Sequence, residues 1–205
     1  MMNGVKNGII GCINTMKKML ELNSFFATPV ARLHEPIMAA SLLKTARQIL
    51  DDRDNLTNPW GYDCTYGTRI ETHPDLDTFK SWTYNVANKF FNEIGFDSSL
   101  VSFTPEIFLS EIFEGEYHPK HTHPNSKVSG ILYLQTPPGS AKLRLHDPRP
   151  FRDFVDYPRL NDKDYDFIDL EVQAGVGYVW PAWVAHEVLV NKSGDKGRIA
   201  IVFNM

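Results

Sequence analysis

Apolar residues recur with two different periods along the chain, and the change of period falls near residue 100. Before it, apolar positions return at spacings of three and four, the period of a helix packed on one side. Ile37, Leu42, Leu43, Ala46 and Leu50 form one such set behind Pro36, and proline suits the first turn of a helix. Phe79, Trp82, Val86 and Phe90 form a second set, which predicts a helix from about Leu76 to Ile94 with its apolar stripe in the core. Between them, Asp51 to Thr68 is rich in Asp, Asn, Gly and Pro and reads as a loop. The short apolar run Ser24 to Val30 reads as an edge strand.

Beyond residue 100 the period falls to two. Strands are predicted over Pro105–Gly115, Val128–Leu134, Ala141–Asp147, Asp166–Val172, Gly175–Trp180, Trp183–Val190 and Arg198–Phe203. Several are joined by short turns, among them TPPGS, QAG and NKSGDKG. About seven strands at this spacing predict a mainly β fold, an antiparallel sandwich or barrel, with the N-terminal helices packed on one outer side. Pro148 to Asp164 is long, charged and aromatic, and reads as a lid or binding loop. Residues 1 to 15 carry no pattern and read as a lead-in.

Composition narrows this picture. A length of 205 residues fits a single domain spanning 1–205, with 100–205 as its β-core. The net charge of −4 and the lack of a basic run argue against nucleic acid as a partner. No apolar run approaches the length of a membrane span, and the first residues are too polar for a secretory signal. Cys12 and Cys64 stand far apart, outside any metal-binding spacing. They read as reduced thiols of a cytoplasmic protein, or of one in a host cytoplasm if phage-encoded.

The candidate chemistry gathers in Tyr117 to Leu134, YHPKHTHPNSKVSGILYL, where His118, His121 and His123 fall within six residues. In an extended chain, residues two apart share a face, so His121 and His123 are placed to share one metal. A third ligand must come from elsewhere. His186 lies among Val184, Val188 and Val190 on an apolar face; alone it reads as a core histidine, beside an H-x-H pair as a ligand. Imidazoles suit Fe, Zn, Cu and Ni. Asp147 is the rival: with Leu143 and Leu145 on its face it either completes a two-His, one-carboxylate triad or caps the turn HDPRP. Arg198 opens the last strand one strand and one turn after His186, which sets it deep in a barrel whose mouth holds the histidines. A buried Arg needs an anion, and a substrate carboxylate held bidentately fits. The alternative is a solvated residue at a strand end. Tyr133 reaches the same deep layer, and Lys142 is a weaker candidate.

Taken in order, HTHPNS, SGILYL, DPR, PAWVAH and RIAIVFN resemble the 2-oxoglutarate- and Fe(II)-dependent oxygenases, over about Gly115 to Asn204. The similarity is greatest to bacterial and phage-type members near the prolyl-hydroxylase-like branch. The resemblance implies a double-stranded β-helix of jelly-roll or cupin-like form. It implies Fe(II) as the metal and 2-oxoglutarate as cosubstrate, with ascorbate in support, and a hydroxylase that couples decarboxylation to oxidation of a C–H bond. By the same resemblance His121, His123 and His186 are the catalytic metal ligands. Arg198 and Tyr133 hold the cosubstrate's far carboxylate, and Asn125 contacts cosubstrate or substrate, unless it is only a turn residue. Two departures are visible. His123 stands where the family has Asp, so the triad is either three His or two His with Asp147. Ala200 stands where a Ser or Thr often follows the Arg. The substrate, a small molecule or a peptide, is left open. A metal-dependent dioxygenase or isomerase without 2-oxoglutarate, and a non-catalytic metal-binding barrel, are the competing readings.

Overall fold

The period-two half of the chain folds into two antiparallel sheets, and the period-three-and-four half covers one of them. The computed structural model describes residues 26–57, 59–149 and 166–205. In chain order the strands are β1 (Ala31–His34), β2 (Asp63–Cys64), β3 (Glu106–Ile112), β4 (His118–His121), β5 (Val128–Gln135), β6 (Leu143–His146), β7 (Phe167–Leu170), β8 (Val176–Pro181), β9 (His186–Val188) and β10 (Arg198–Asn204). The helices are α1 (Pro36–Asp51) and α2 (Asp77–Glu93). Six strands form one sheet in the order β1-β8-β5-β10-β3-β2, and four form the other in the order β4-β9-β6-β7. This is the jelly-roll, double-stranded β-helix arrangement.

The central strands β5, β8 and β10 are buried nearly throughout, as strands covered on both faces must be. Along β10, Ile199, Ile201 and Phe203 join the core under the helices, whereas Ala200 joins the core between the sheets. Along β5, Leu132 and Leu134 face the helices and Ile131 and Tyr133 face inward. The helix side is filled by α1 through Ala39, Leu42, Ala46, Ile49 and Leu50, and by α2 through Phe79, Ala87 and Phe90. Phe203 packs against Phe79 and Trp82 of α2, with ring centroids 6.2 and 6.0 Å away. Its ring lies over Gly130, opposite it in register. A Cβ on Gly130 would stand 2.1 Å from that ring, so only glycine admits it. Arg47 of α1 donates to Glu111 at 2.7 Å and to Gln135 at 3.0 Å, tying the helix to β3 and β5.

Three sequence expectations shift, and two lie outside the described residues. The edge strand expected at Ser24–Val30 lies later, at Ala31–His34, where ARLH alternates half-buried and exposed and pairs with β8; residues 24 and 25 lie outside the described residues. The strand expected over Trp183–Val190 shortens to His186–Val188, because Val184 donates back to the Pro181 carbonyl and makes a turn. The expected loop 51–68 contains β2, which pairs with β3. The lead-in at 1–15, with Cys12, and residues 150–164 of the expected lid lie outside the described residues. Cys64 is a buried free thiol. Among the described residues no helix is long and apolar enough to cross a membrane.

Candidate metal centre

The histidines are brought together by pairing in the four-stranded sheet. β4 runs antiparallel to β9 with His121 directly opposite His186, and neighbouring residues across such a pair have Cβ atoms about 5 Å apart. His123 follows β4 in the turn to β5, rather than on a strand, and is pinned by its backbone: its N–H donates to the Ala182 carbonyl at 3.0 Å. Ala182 in turn donates to Lys127 at 3.0 Å. Two loops are thus stitched to each other at the site. The ligand atoms of His121, His123 and His186 all lie within 4.8 Å of one another, and among the described residues this is the one group of its kind.

Hydrogen bonding fixes which ring nitrogen is available. The Nδ1 of His121 lies 2.8 Å from the Pro119 carbonyl, and that of His186 lies 3.0 Å from the Val184 carbonyl. A carbonyl only accepts, so each Nδ1 carries the proton and each Nε2 keeps a free lone pair, the form that ligates a metal. Burial, with neighbouring imidazoles adding to it, depresses His186 to about 3 and His123 to about 4, and it lowers His121 as well. All three are neutral, and three neutral imidazoles fit a divalent transition metal.

A fourth histidine stands behind them. His118 is buried, its ring centroid lies 4.2 Å from that of His121, and its Nδ1 is 3.1 Å from the Tyr62 hydroxyl. Burial first, then the charges of His121 and His123, push it down to about 3. Its proximity to Trp60 and Tyr62 comes from β2 and the loop before it, which no sequence period announced. On the other side Trp180 packs 5.0 Å from His186, centroid to centroid. Trp180 is a buried wall of the site, whereas Trp183 is 55% exposed.

Asp147 is not in the cluster. Its carboxylate accepts from the backbone N–H and the guanidinium of Arg149, the Asx-type turn that was the alternative to ligation. Asn125 sits exposed in the turn after His123.

Arg198 begins β10 and is fully buried, so the solvated reading of it is excluded. Among the described residues none of its three guanidinium nitrogens has a hydrogen-bond partner. The guanidinium carbon lies 4.8 Å from the centre of the Tyr133 ring, and the Tyr133 hydroxyl is likewise unpartnered. Burial raises the Tyr133 phenol, with Arg198 acting against the rise. An unpaired buried cation costs several kcal/mol, and a buried guanidinium beside a hydroxyl donor is suited to a carboxylate. A separate cleft, lined by Arg47, Asp51, Asp63, Glu111 and Lys196, contains none of the histidines.

A double-stranded β-helix with three convergent imidazoles and a buried arginine can hold a metal ion and an anion between its sheets. Residues 108–204, just under half the chain, match the family model described as "Putative 2OG-Fe(II) oxygenase". Over those residues the β-core is similar to the 2-oxoglutarate-dependent non-haem iron oxygenases that the model describes. No curated protein matches the chain by sequence. The fold is similar to that of a prolyl-4-hydroxylase from Pseudomonas putida, with TM-score 0.63 and 15% identity, over 87% of this chain and 93% of that one. It is similar to a prolyl hydroxylase from Trichoplax adhaerens, crystallised with a peptide fragment of hypoxia inducible factor, with TM-score 0.59 and 12% identity over 99% and 93%. It is also similar to the epimerase SnoN in complex with Fe3+, alpha-ketoglutarate and nogalamycin RO, with TM-score 0.57 and 11% identity over 86% and 78%. At these identities the likeness is one of fold.

Proposed function

We propose that the protein is a hydroxylase in which His121, His123 and His186 hold Fe(II), while Arg198 and Tyr133 hold the far carboxylate of 2-oxoglutarate. The observation that carries this reading is Arg198: fully buried, with all three guanidinium nitrogens unpartnered among the described residues. A metal-dependent barrel that did not use a keto-diacid would leave that charge without a counter-ion, at a cost of several kcal/mol. When bound, iron and 2-oxoglutarate supply the oxidising chemistry, with decarboxylation to succinate driving oxidation of a C–H bond.

The chain's own residues orient and exclude. The backbone carbonyls of Pro119 and Val184 hold two imidazoles with Nε2 toward the shared centre. The guanidinium fork and the Tyr133 hydroxyl fix one end of the cosubstrate, so its other end meets the metal in one orientation. Trp180 and the apolar residues between the sheets keep water from that space. With His123 in the place of the usual carboxylate, the ligand set carries no charge of its own, and Asp147 is left to its turn.

The test is succinate release from 2-oxoglutarate by the iron-loaded protein, with ascorbate present, across a substrate panel. Substrate-stimulated succinate with a product one oxygen atom heavier is the expected result. Iron binding without any affinity for 2-oxoglutarate would instead favour the dioxygenase or isomerase that does without it.

A further inference from the structure

Arg198 and Tyr133 account for only part of the unpartnered polar atoms on the inner face of the six-stranded sheet. The others are the Oγ of Ser129, the Nε1 of Trp180 and the Oδ1 of Asn204. Their residues are 0%, 2% and 1% exposed. They fall in one row: Trp180 pairs with Ser129, Ser129 with Asn204, and Asn204 with Glu106, on the consecutive strands β8, β5, β10 and β3. Residues paired in register share a face, so the four side chains stand side by side between the sheets. The row is at the metal end, since Trp180 packs on His186 and the next residues lead to Ala182, which accepts from His123. Arg198 lies six positions further along β10, at the other end.

The row is mixed in character: the Nε1 of Trp180 only donates, the Oγ of Ser129 can do both, and the Asn204–Glu106 end is made of acceptors. The Nδ2 of Asn204 donates to Glu106 at 3.2 Å, which leaves its free Oδ1 as an acceptor only. Glu106 adds a carboxylate that has no cationic partner among the described residues. An unmade hydrogen bond at a buried acceptor costs about 1–3 kcal/mol. From the Glu106 end of the row a run of rings leads to the histidines. Phe108 meets Tyr66 at 5.4 Å, Tyr66 meets Trp60 at 4.9 Å, Trp60 meets His118 at 4.6 Å, and His118 meets His121 at 4.2 Å. The charge of Glu106 raises the Tyr66 phenol, so carboxylate and ring are neighbours.

We propose that the primary substrate carries a cationic nitrogen, an ammonium or guanidinium group, seated on Asn204 and Ser129 with Glu106 as its counter-charge and the Trp60–Tyr66 rings against its flank. Buried acceptors want N–H donors, a lone carboxylate wants a cation, and aromatic faces attract one. A neutral amide would satisfy Asn204 and leave Glu106 uncompensated; an anionic substrate would be repelled by it. The inference rests on the oxygenase reading only in placing the oxidised carbon at the histidines. The chemistry of the row is independent of what the metal does.

The test uses the Fe(II) protein with 2-oxoglutarate under anaerobic conditions, titrated with n-butylamine and agmatine, and with butan-1-ol and butyrate as neutral and anionic counterparts. Binding is read from the fluorescence of the tryptophans that border the site and from the absorption of the iron–keto-acid chromophore. The amines are expected to bind at least about tenfold more tightly than their counterparts, a difference of one charge-assisted contact. Glu106→Gln, which keeps the shape and the Asn204 contact, should erase most of that preference with iron content and 2-oxoglutarate affinity retained; Asn204→Ala should weaken the amines alone. Equal binding of all probes, preference for butyrate, binding of none, or a preference that survives Glu106→Gln overturns the proposal. An amine preference in a protein that takes up no 2-oxoglutarate leaves the proposal standing and fells the oxygenase reading instead.

Discussion

The two faces of the six-stranded sheet are built from the same strands and could hardly differ more. The helix-facing side is filled with Leu109, Leu132, Ile199, Ile201 and Phe203, and helices seal it. The inner side carries Arg198, Tyr133, Ser129, Asn204 and Trp180, each with a buried polar atom that nothing among the described residues satisfies. The first face is complete without a ligand. The second is complete only with one, because buried polar groups in native proteins are almost always paired. One face therefore supplies the stability that the other lacks, which is how strain and unmet polarity persist at functional sites.

Breaking the histidine cluster, which the four-stranded sheet presents to the inner face, should have the largest effect. His186→Ala is expected to bring iron content to background and to abolish turnover, as measured by metal analysis; undiminished iron would remove the histidine centre from the comparison. The outer face answers on a different scale. Phe203→Ala should cost about 3–5 kcal/mol of stability, the usual result of truncating a buried aromatic, read from urea denaturation, while the folded fraction still binds 2-oxoglutarate. Arg198→Ala should reverse that pattern: iron retained, and 2-oxoglutarate affinity down on the order of a hundredfold, from lost charge-assisted bonds of about 1.5–3 kcal/mol each. Arg198→Lys should fall between, since one ammonium cannot replace the fork.

Acid should also separate the faces, more gently. His118 and His186 at about 3 and His123 at about 4 lie below the value of about 6.5 that an unfolded histidine has. Between those limits the unfolded chain binds protons that the folded one refuses. Stability contributed by the neutral imidazoles is therefore full above pH 6.5 and lost as pH falls toward the folded values. The urea midpoint of the metal-free protein should drop between pH 7.5 and 5.5, and the metal-free His186→Ala variant should drop less. Asp147→Ala should do least: iron retained, with only the turn at Arg149 loosened.

Much of this was legible in the sequence, for identifiable reasons. β5, β8 and β10 were placed within one or two residues because their alternation is long and β-branched. His186, Arg198 and Tyr133 could be named because a polar residue on an apolar strand face is conspicuous, and His121 and His123 because they stand two apart, although His123 lies in the turn after β4. β2 and β4 were missed because one is two residues long and the other contains Pro119, which argues against a strand. His118 was visible as a residue, but its place behind His121 depends on Tyr62, which β2 delivers from a distance of more than fifty residues. Glu106 and Asn204 gave no signal at all. Their meaning lies in cross-strand register, which a single chain does not print.

β10 carries both faces on seven residues, Arg198–Asn204. Ile199, Ile201 and Phe203 belong to the helix side, while Arg198, Ala200 and Asn204 belong to the site. Evolution can exchange any one of these side chains at a local cost, but it cannot add or drop a residue here. One inserted residue would turn every later side chain to the opposite face, sending an asparagine under the helices and a phenylalanine toward the metal. Substrate preference in such a strand can drift by replacement, position by position, whereas its length is frozen.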